Sequence, residues 1–345
     1  MTARIKLCLS ILTGLAVFCF LLNLTLGSVA IPFKEVVRIL LHGESADTAW
    51  LFIVEKIRIP KAITAVLVGW ALSISGLQIQ TLFRNPLAGP SELGITAGAG
   101  LGVAVIMLGS GSATSLYAIR QLGLSGSWLL IAAASIGAAL VLLLVLLIAG
   151  RIRDNVVLLI VGVMVGTITL SIISIWQYFS QPEQLQEYLL WTFGSLGGVV
   201  DEQLWVLTGV VLGGLLIAYA SSKALNTLLL GNQYARSMGL TVGRTRTLIL
   251  LSTSLLTGSI TAFCGPIGFI GIAVPHLTRS LLNTANHRLL IPASGLIGTI
   301  LMLVCDSIAQ LPDTQSVLPI NVVTSLFGAP VVIWMIVSRT NRFLT

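Results

Sequence analysis

"GFIGIAVPHLTRSLL", residues 268–282, decides the class of this fold. The stretch is apolar enough to enter a bilayer. It also carries Pro275, His276 and Arg279, which a helix bathed in lipid would not select. Irregular backbone at membrane depth is tolerated only where protein or a cavity surrounds it. Coming just after Gly265 and Pro266, the stretch reads as a short helix in a broken segment, inside a protein that crosses the membrane many times. A lone histidine with no second ligand nearby in sequence makes a poor metal site. His276 is therefore read as a structural hydrogen-bonding residue.

Composition points the same way. The 345 residues are 56% hydrophobic and only 9% charged, with a mean hydropathy of +1.00. A soluble domain carries about a quarter charged residues. The expectation is an all-α polytopic membrane protein, one transmembrane domain over 1–345. Cys8, Cys19, Cys264 and Cys305 sit in apolar runs without C-x-x-C spacing, so neither a disulfide framework nor a metal centre is implied. No cofactor motif is present. The basic pI, near 9.6, fits membrane topology better than a nucleic-acid partner in a chain this apolar.

A span needs about 20 mostly apolar residues. Such runs fall at 7–27, 61–82, 92–110, 127–149, 155–178, 203–222, 246–263, 267–283, 289–308 and 321–338, which predicts about ten spans. The run Leu7 to Leu26 exceeds the apolar core of a signal peptide, usually about 7–15 residues, and reads as an uncleaved first span. An even count puts both termini on one side. If that side is cytoplasmic, thirteen of the 19 Lys and Arg face inward, and the six outward ones are Lys34, Arg38, Lys56, Arg58, Lys61 and Arg120. The positive-inside rule then favours N-in, C-in.

Several motifs carry information. The chain has no GxxxxGK[ST], hence no phosphate loop of its own. Gly94, Gly98 and Gly102 recur every four residues in an apolar run, which suits close helix packing and not phosphate binding. Span interiors are nearly free of ionisable residues, whereas coupled secondary transporters place charges there. No HExxH or GxSxG appears. "RNPLAGPSELG" (84–94) breaks the chain with two prolines, either as a plain turn or as a rigid constriction presenting Asn85 and Leu87. "ALNTLLLGNQYARSMGLTVGRTR" (224–246) is the only sizeable inward loop, and Gly231 and Gly239 punctuate it into two short helices. Such a knob can dock in a partner's groove, although an ordinary basic loop fits the composition as well.

Taken together, "RNPLAGPSELGITAGAGLG", "LGNQYARSMG", "GPIGFIGIAVPHLTRSLL", "NHRLLIPASGLIG" and "LPINVVTSLFGAPVVIWMI" resemble the FecCD-type permeases. These are the membrane subunits of bacterial ATP-binding-cassette (ABC) importers for ferric siderophores, haem and vitamin B12. The likeness runs from about Arg58 to Ile336 with five motifs in order. It implies ten spans in the bacterial inner membrane and a second permease subunit, taken as a homodimer. It further implies separate ATPase subunits that hydrolyse ATP, so that this chain is no enzyme, and an extracytoplasmic substrate-binding protein. The resemblance makes Asn85 and Leu87 cytoplasmic gate residues and assigns ATPase coupling to Gly231, Ala235, Arg236 and Gly239. Arg58 and Lys61, in "RIPK", resemble a basic pair that docks the binding protein. Gln310 stands where relatives often carry an Arg. The implied function is alternating access for a ferric siderophore, then vitamin B12, then haem, in order of family frequency. The alternatives are a secondary transporter of a small hydrophilic solute, which the missing midplane charge disfavours, and a membrane enzyme or scaffold.

Overall fold

The computed structural model describes residues 3–27, 29–43, 47–109, 124–152, 154–199, 201–310 and 317–340. Arg120, Arg153 and Arg342, which enter the charge balance above, lie outside the described residues. The chain begins with α1 (Ala3–Thr25) and the amphipathic α2 (Phe33–His42). Next, α3 (Thr48–Phe52) runs through a π-helical turn at Ile53–Arg58 into α4 (Ile59–Phe83). Then follow α5 (Ile95–Met107), α6 (Leu124–Ala149), α7 (Asn155–Phe179) and the short α8 (Pro182–Thr192). After these come α9 (Asp201–Ala220), α10 (Ser222–Leu228), α11 (Asn232–Ser237) and α12 (Val242–Cys264). The last three are α13 (Ile270–Leu282), α14 (His287–Ala309) and α15 (Ile320–Thr340).

Among the described residues, seven helical units are long and apolar enough to cross a membrane: α1, Thr48–Phe83, α6, α7, α9, α12 and α14. The other three expected spans coincide with α5, α13 and α15. The second expected span, 61–82, proves to be part of a unit of 36 residues that starts at Thr48. Its far end is sharply closed: Arg84 takes φ 51 and Asn85 N–H donates to Gln80 O at 3.1 Å. Pro86 then forbids continuation. Elsewhere, Asp154 caps α7 by accepting from Val156 N–H at 2.7 Å, and Asn286 caps α14 by accepting from Arg288 N–H at 3.1 Å.

The sequence divides 246–283 into two expected spans, 246–263 and 267–283. The structure ends α12 at Cys264 and leaves Gly265–Gly268 non-helical before α13. That irregular stretch is satisfied by protein, as the bilayer requires. Cys264 O accepts from Ser195 N–H at 2.8 Å, and Gly268 N–H donates to Asn321 Oδ1 at 3.0 Å. His276 is half-buried on α13, one residue past Pro275.

One helix is central. In the Thr48–Phe83 unit 78% of the apolar window is buried, against 28% for α7 or α9. Helix α4 packs against α14, α12, α13 and α9. Its closest neighbours meet it backbone to backbone. A Cβ on Gly69 would lie 2.5 Å from the Gly298 carbonyl, and one on Gly76 would lie 1.8 Å from Gly271 O. Without water between helices, close packing and interhelical hydrogen bonds hold such contacts. The bonds are present: Ser252 Oγ and Thr253 Oγ1 on α12 donate to Gln78 Oε1 at 3.2 and 3.3 Å. Thr257 Oγ1 donates to Ser75 Oγ at 3.1 Å.

A second backbone seam joins α5 to its neighbours. A Cβ on Gly98 would meet Gly137 O of α6 at 2.6 Å, one on Gly102 would meet Ala133 O at 1.9 Å, and one on Gly94 would meet Gly166 N of α7 at 3.0 Å. Leucine at 98 therefore cannot be housed without separating α5 from α6. Gly98→Leu should cost at least about 1–3 kcal/mol, the usual range for overpacking, and lower the thermal midpoint of the detergent-solubilised protein. Gly213→Leu on α9, where a Cβ meets nothing within 4 Å, is the control and should leave the midpoint unchanged. Equal midpoints for both variants would contradict the seam.

Candidate functional site

Polar side chains converge where α4 ends. Thr81 is buried in the last turn of α4, and its Oγ1 lies 2.8 Å from His287 Nε2 at the first turn of α14. His287 Nδ1 and its backbone N both lie 2.8 Å from Asn226 Oδ1 on α10. Asn226 Nδ2 donates to Asn286 Oδ1 at 3.2 Å. From the other side, the Arg279 guanidinium on α13 donates to Gln80 Oε1 at 2.6 Å and more weakly to Thr81 Oγ1 at 3.4 Å. Gln80 Nε2 in turn donates to Ile272 O at 3.1 Å, and Asn155 at the start of α7 donates to Leu82 O at 2.6 Å. Three helices (α7, α13 and α14) are thus tied directly to one turn of α4, and α10 is tied to it through His287.

The RNPLA turn leaves directly from that knot. Asn85 Oδ1 accepts from Leu87 N–H at 2.9 Å, which fixes the turn and leaves the Leu87 side chain exposed. Gly89 N–H donates to Glu92 Oε2 at 2.6 Å, so the glutamate braces the far side. Arg84 reaches across to Leu229 O at 3.4 Å.

Beside the turn stands the knob of α10 and α11. Gly231 between them takes φ +105, and Gly239 after α11 takes φ +83. A residue with a Cβ is strained by about 1–3 kcal/mol in such sparsely populated conformations. Leu240 N–H closes α11 by donating to Ala235 O at 3.0 Å. Ala235 is fully buried and seats α11 on the bundle, while Arg236 is exposed. The apolar surface is the surprise: Leu230, Tyr234 and Met238 are 60%, 55% and 60% exposed. A cleft of about 620 Å³ lies between Arg84 and Tyr234. The structure therefore brings Gly231 and its neighbours beside the turn of Asn85 and Leu87, and keeps Gly94, Gly98 and Gly102 apart in the α5 seam.

At the opposite end of α4, Arg58 and Lys61 are turned inward. The buried Arg58 guanidinium donates to Leu24 O at 2.7 Å, to Thr25 O at 3.0 Å and to Val29 O, and so holds the end of α1. Lys61 Nζ pairs with Asp306 Oδ1 on α14 at 2.9 Å, both side chains being largely buried. Asp306 also accepts from Asn23 Nδ2 at 3.0 Å and from Gln310 Nε2 at 2.6 Å. The charges expected at a docking rim are committed within the chain, and Gln310 completes the shell of the carboxylate.

Sequence reading missed Asn226, Thr81 and His287, as well as the exposed apolar trio. One signal was available for Thr81. Ser73, Ser75, Gln78, Gln80 and Thr81 crowd a single predicted span, and polar residues inside a membrane face protein. Among the described residues no three of His, Cys, Asp or Glu converge on a metal-binding geometry.

The buried pair gives a direct test. Removing one partner of a buried ion pair costs about 3–5 kcal/mol, while replacing both with apolar residues is often neutral. Asp306→Ala should therefore lower the thermal midpoint markedly, and Lys61→Met combined with Asp306→Leu should recover most of the loss. A midpoint unmoved by Asp306→Ala would show that the pair holds nothing together.

Comparison with known proteins places this geometry among relatives. The model of the FecCD transport family matches residues 15–338. The vitamin B12 import system permease protein BtuC of Salmonella typhi is 37% identical over 287 residues, covering 83% of this chain and 84% of that protein. BtuC of Klebsiella pneumoniae subsp. pneumoniae is 35% identical over 332 residues, covering 96% and 93%. A solved ABC transporter described as metal-chelate type, in an inward-facing conformation, aligns with a TM-score of 0.82 at 26% identity, covering 97% of this chain and 99% of that one.

Proposed function

The chain belongs to the FecCD transport family, and on that premise we propose how this permease subunit of an ABC importer is driven and what it carries. It is an inner-membrane protein and not itself a catalytic enzyme. In our reading, separate ATPase subunits hydrolyse the nucleotide and seat against the α10–α11 knob. The observation that carries this is the exposed trio Leu230, Tyr234 and Met238. Large apolar side chains on a short helical knob at the basic, RNPLA-bearing end mark a surface that a partner covers. The basic end is then cytoplasmic, as the positive-inside rule expects.

The cycle follows from the neighbours of the knob. Closing of the ATPases moves α10 and α11, and the turn bearing Asn85 and Leu87 opens or shuts the inner mouth. Gly231 and Gly239 give the knob its angle, Ala235 seats it, and Arg236 meets the partner's charge. A second copy of this chain completes the pathway. At the outer end, Arg58 and Lys61 hold α1, α4 and α14 in register and so shape the face on which a substrate-binding protein docks. The cargo is a bulky metal–organic chelate delivered by that protein. Vitamin B12 takes first place because the BtuC relatives carry that name, ahead of a ferric siderophore and haem. A secondary transporter would need titratable groups at mid-membrane. The buried ion pair here, Lys61–Asp306, lies instead at the end of α4 remote from the knob.

Two interface hot spots are typically worth at least about 2 kcal/mol each. Tyr234→Glu with Met238→Glu should therefore leave the permease inserted and cut co-purification of its ATPase subunits by at least about tenfold. Arg236→Glu alone should weaken retention less and make it more sensitive to salt, as a rim charge does. Wild-type retention of ATPase by the doubly substituted protein would sink the reading. Competition for uptake between labelled cyanocobalamin and a ferric hydroxamate ranks the cargoes.

A further inference from the structure

The proposed function requires that motion of the knob reach the gate turn. Two polar routes join them, beside the apolar packing of Leu225, Leu228 and Ala235 in one buried cluster with Leu82, Phe83 and Ala88. One is exposed: Arg84 Nη2 to Leu229 O, 3.4 Å. That is a long contact, open to competition from water. The other is short, buried at Thr81 and His287 and half-buried at Asn226. It runs from Asn226 on α10, through His287 on α14, to Thr81 on α4, with both His287 ring contacts at 2.8 Å. Thr81 precedes Arg84 by less than one helical turn, so the chain of contacts ends at the root of the RNPLA turn.

The proton inventory of these contacts favours one direction. Arg279 has only donors to offer, so Thr81 Oγ1 accepts from it. Asn226 Oδ1 already accepts the His287 backbone N–H, so a neutral imidazole carries its single proton on Nδ1 and leaves Nε2 to accept from the Thr81 hydroxyl, which has Leu77 O at 2.8 Å as its other acceptor. Asn226 Nδ2 passes the pattern on to Asn286 Oδ1. Partners fix the tautomer, as they do for most histidines. His287 and Thr81 are both sealed from solvent. Breaking the chain would strand the buried imidazole at about 1–3 kcal/mol. The links should hold while the surrounding helices shift.

A simpler role is that His287 only anchors the start of α14. Asn286 already caps that helix through its own side chain, so the cap does not require the imidazole to bridge α10 and α4. We propose that Asn226, His287 and Thr81 form the positioning relay through which displacement of the α10–α11 knob is passed to the RNPLA turn, with His287 as the pivot. The relay rests on the reading of the knob as the ATPase seat.

The test is hydrogen exchange on the assembled permease–ATPase complex in lipid nanodiscs, with and without ATP–vanadate. Amides of the knob, residues 222–240, and of the turn, residues 85–89, are read separately. In the wild type both segments should change protection on trapping. In Thr81→Val and His287→Phe the knob should still respond, while the nucleotide-dependent change at the turn falls to less than half. Thr81→Ser, which keeps the hydroxyl, should restore it, and Arg84→Gln should leave it intact. If His287→Phe does not assemble, Thr81→Val decides. A turn that responds in full in assembled Thr81→Val overturns the relay. So does a turn that merely exchanges faster in both states with its response unchanged, since that is the mark of a structural role. A wild-type knob blind to nucleotide, in a complex that retains its ATPases, means that the seat is misplaced, and the relay falls with it.

Discussion

The architecture depends on how closely α4 lies against its neighbours. At Gly69 against Gly298 and Gly76 against Gly271 there is no room for a methyl group, so at these two points α4 meets α14 and α13 backbone to backbone. This contact removes α4 from lipid on nearly all sides. Polar side chains can then populate it without meeting hydrocarbon, and they do, from Thr64 to Thr81. Each interhelical hydrogen bond in a membrane adds only about 0.6 kcal/mol on average. Their larger effect is on register, because the glycine contacts fix the distance and the hydrogen bonds fix the slide and rotation.

The two ends of α4 use that register differently. At one end Lys61, Asp306, Asn23 and Gln310 form a compact shell around one carboxylate, and Arg58 clasps the end of α1. These groups gather charge inward and stiffen the bundle. At the other end the polar knot opens on to a turn and a knob that keep exposed apolar side chains. A bundle held stiff at one end, with a hinged attachment at the other, suits a protein driven from its basic side. The glycines at 231 and 239 set the angle of the knob, and the buried Ala235 keeps it from swinging freely.

Much of the fold was legible because bilayer physics writes it plainly. The runs near 155–178 and 203–222 returned as α7 and α9 almost unchanged. The break before "GFIGIAVPHLTRSLL" was visible in Gly265 and Pro266. What compensates it was not, since Ser195 and Asn321 lie far away in sequence. Arg58 and Lys61 illustrate the limit at the site. Cations at a span entrance can face water or turn inward, and only the positions of Leu24 and Asp306 decide between the two. The exposed trio was hidden for a related reason, because Leu230, Tyr234 and Met238 read as ordinary loop hydrophobes until Ala235 is seen to fill the inner face. Asn226, His287 and Thr81 share no spacing rule. Three separate helices bring them together.

The central claim is that an ATP-driven machine works this chain as its membrane channel. The most direct measurement is uptake into proteoliposomes holding the permease with its ATPase and binding protein, using labelled cyanocobalamin and a ferric hydroxamate as probes. The account predicts accumulation of at least one probe that requires both ATP and the binding protein and persists when a protonophore collapses the proton gradient. Accumulation driven by a proton or sodium gradient in the absence of ATP would contradict it.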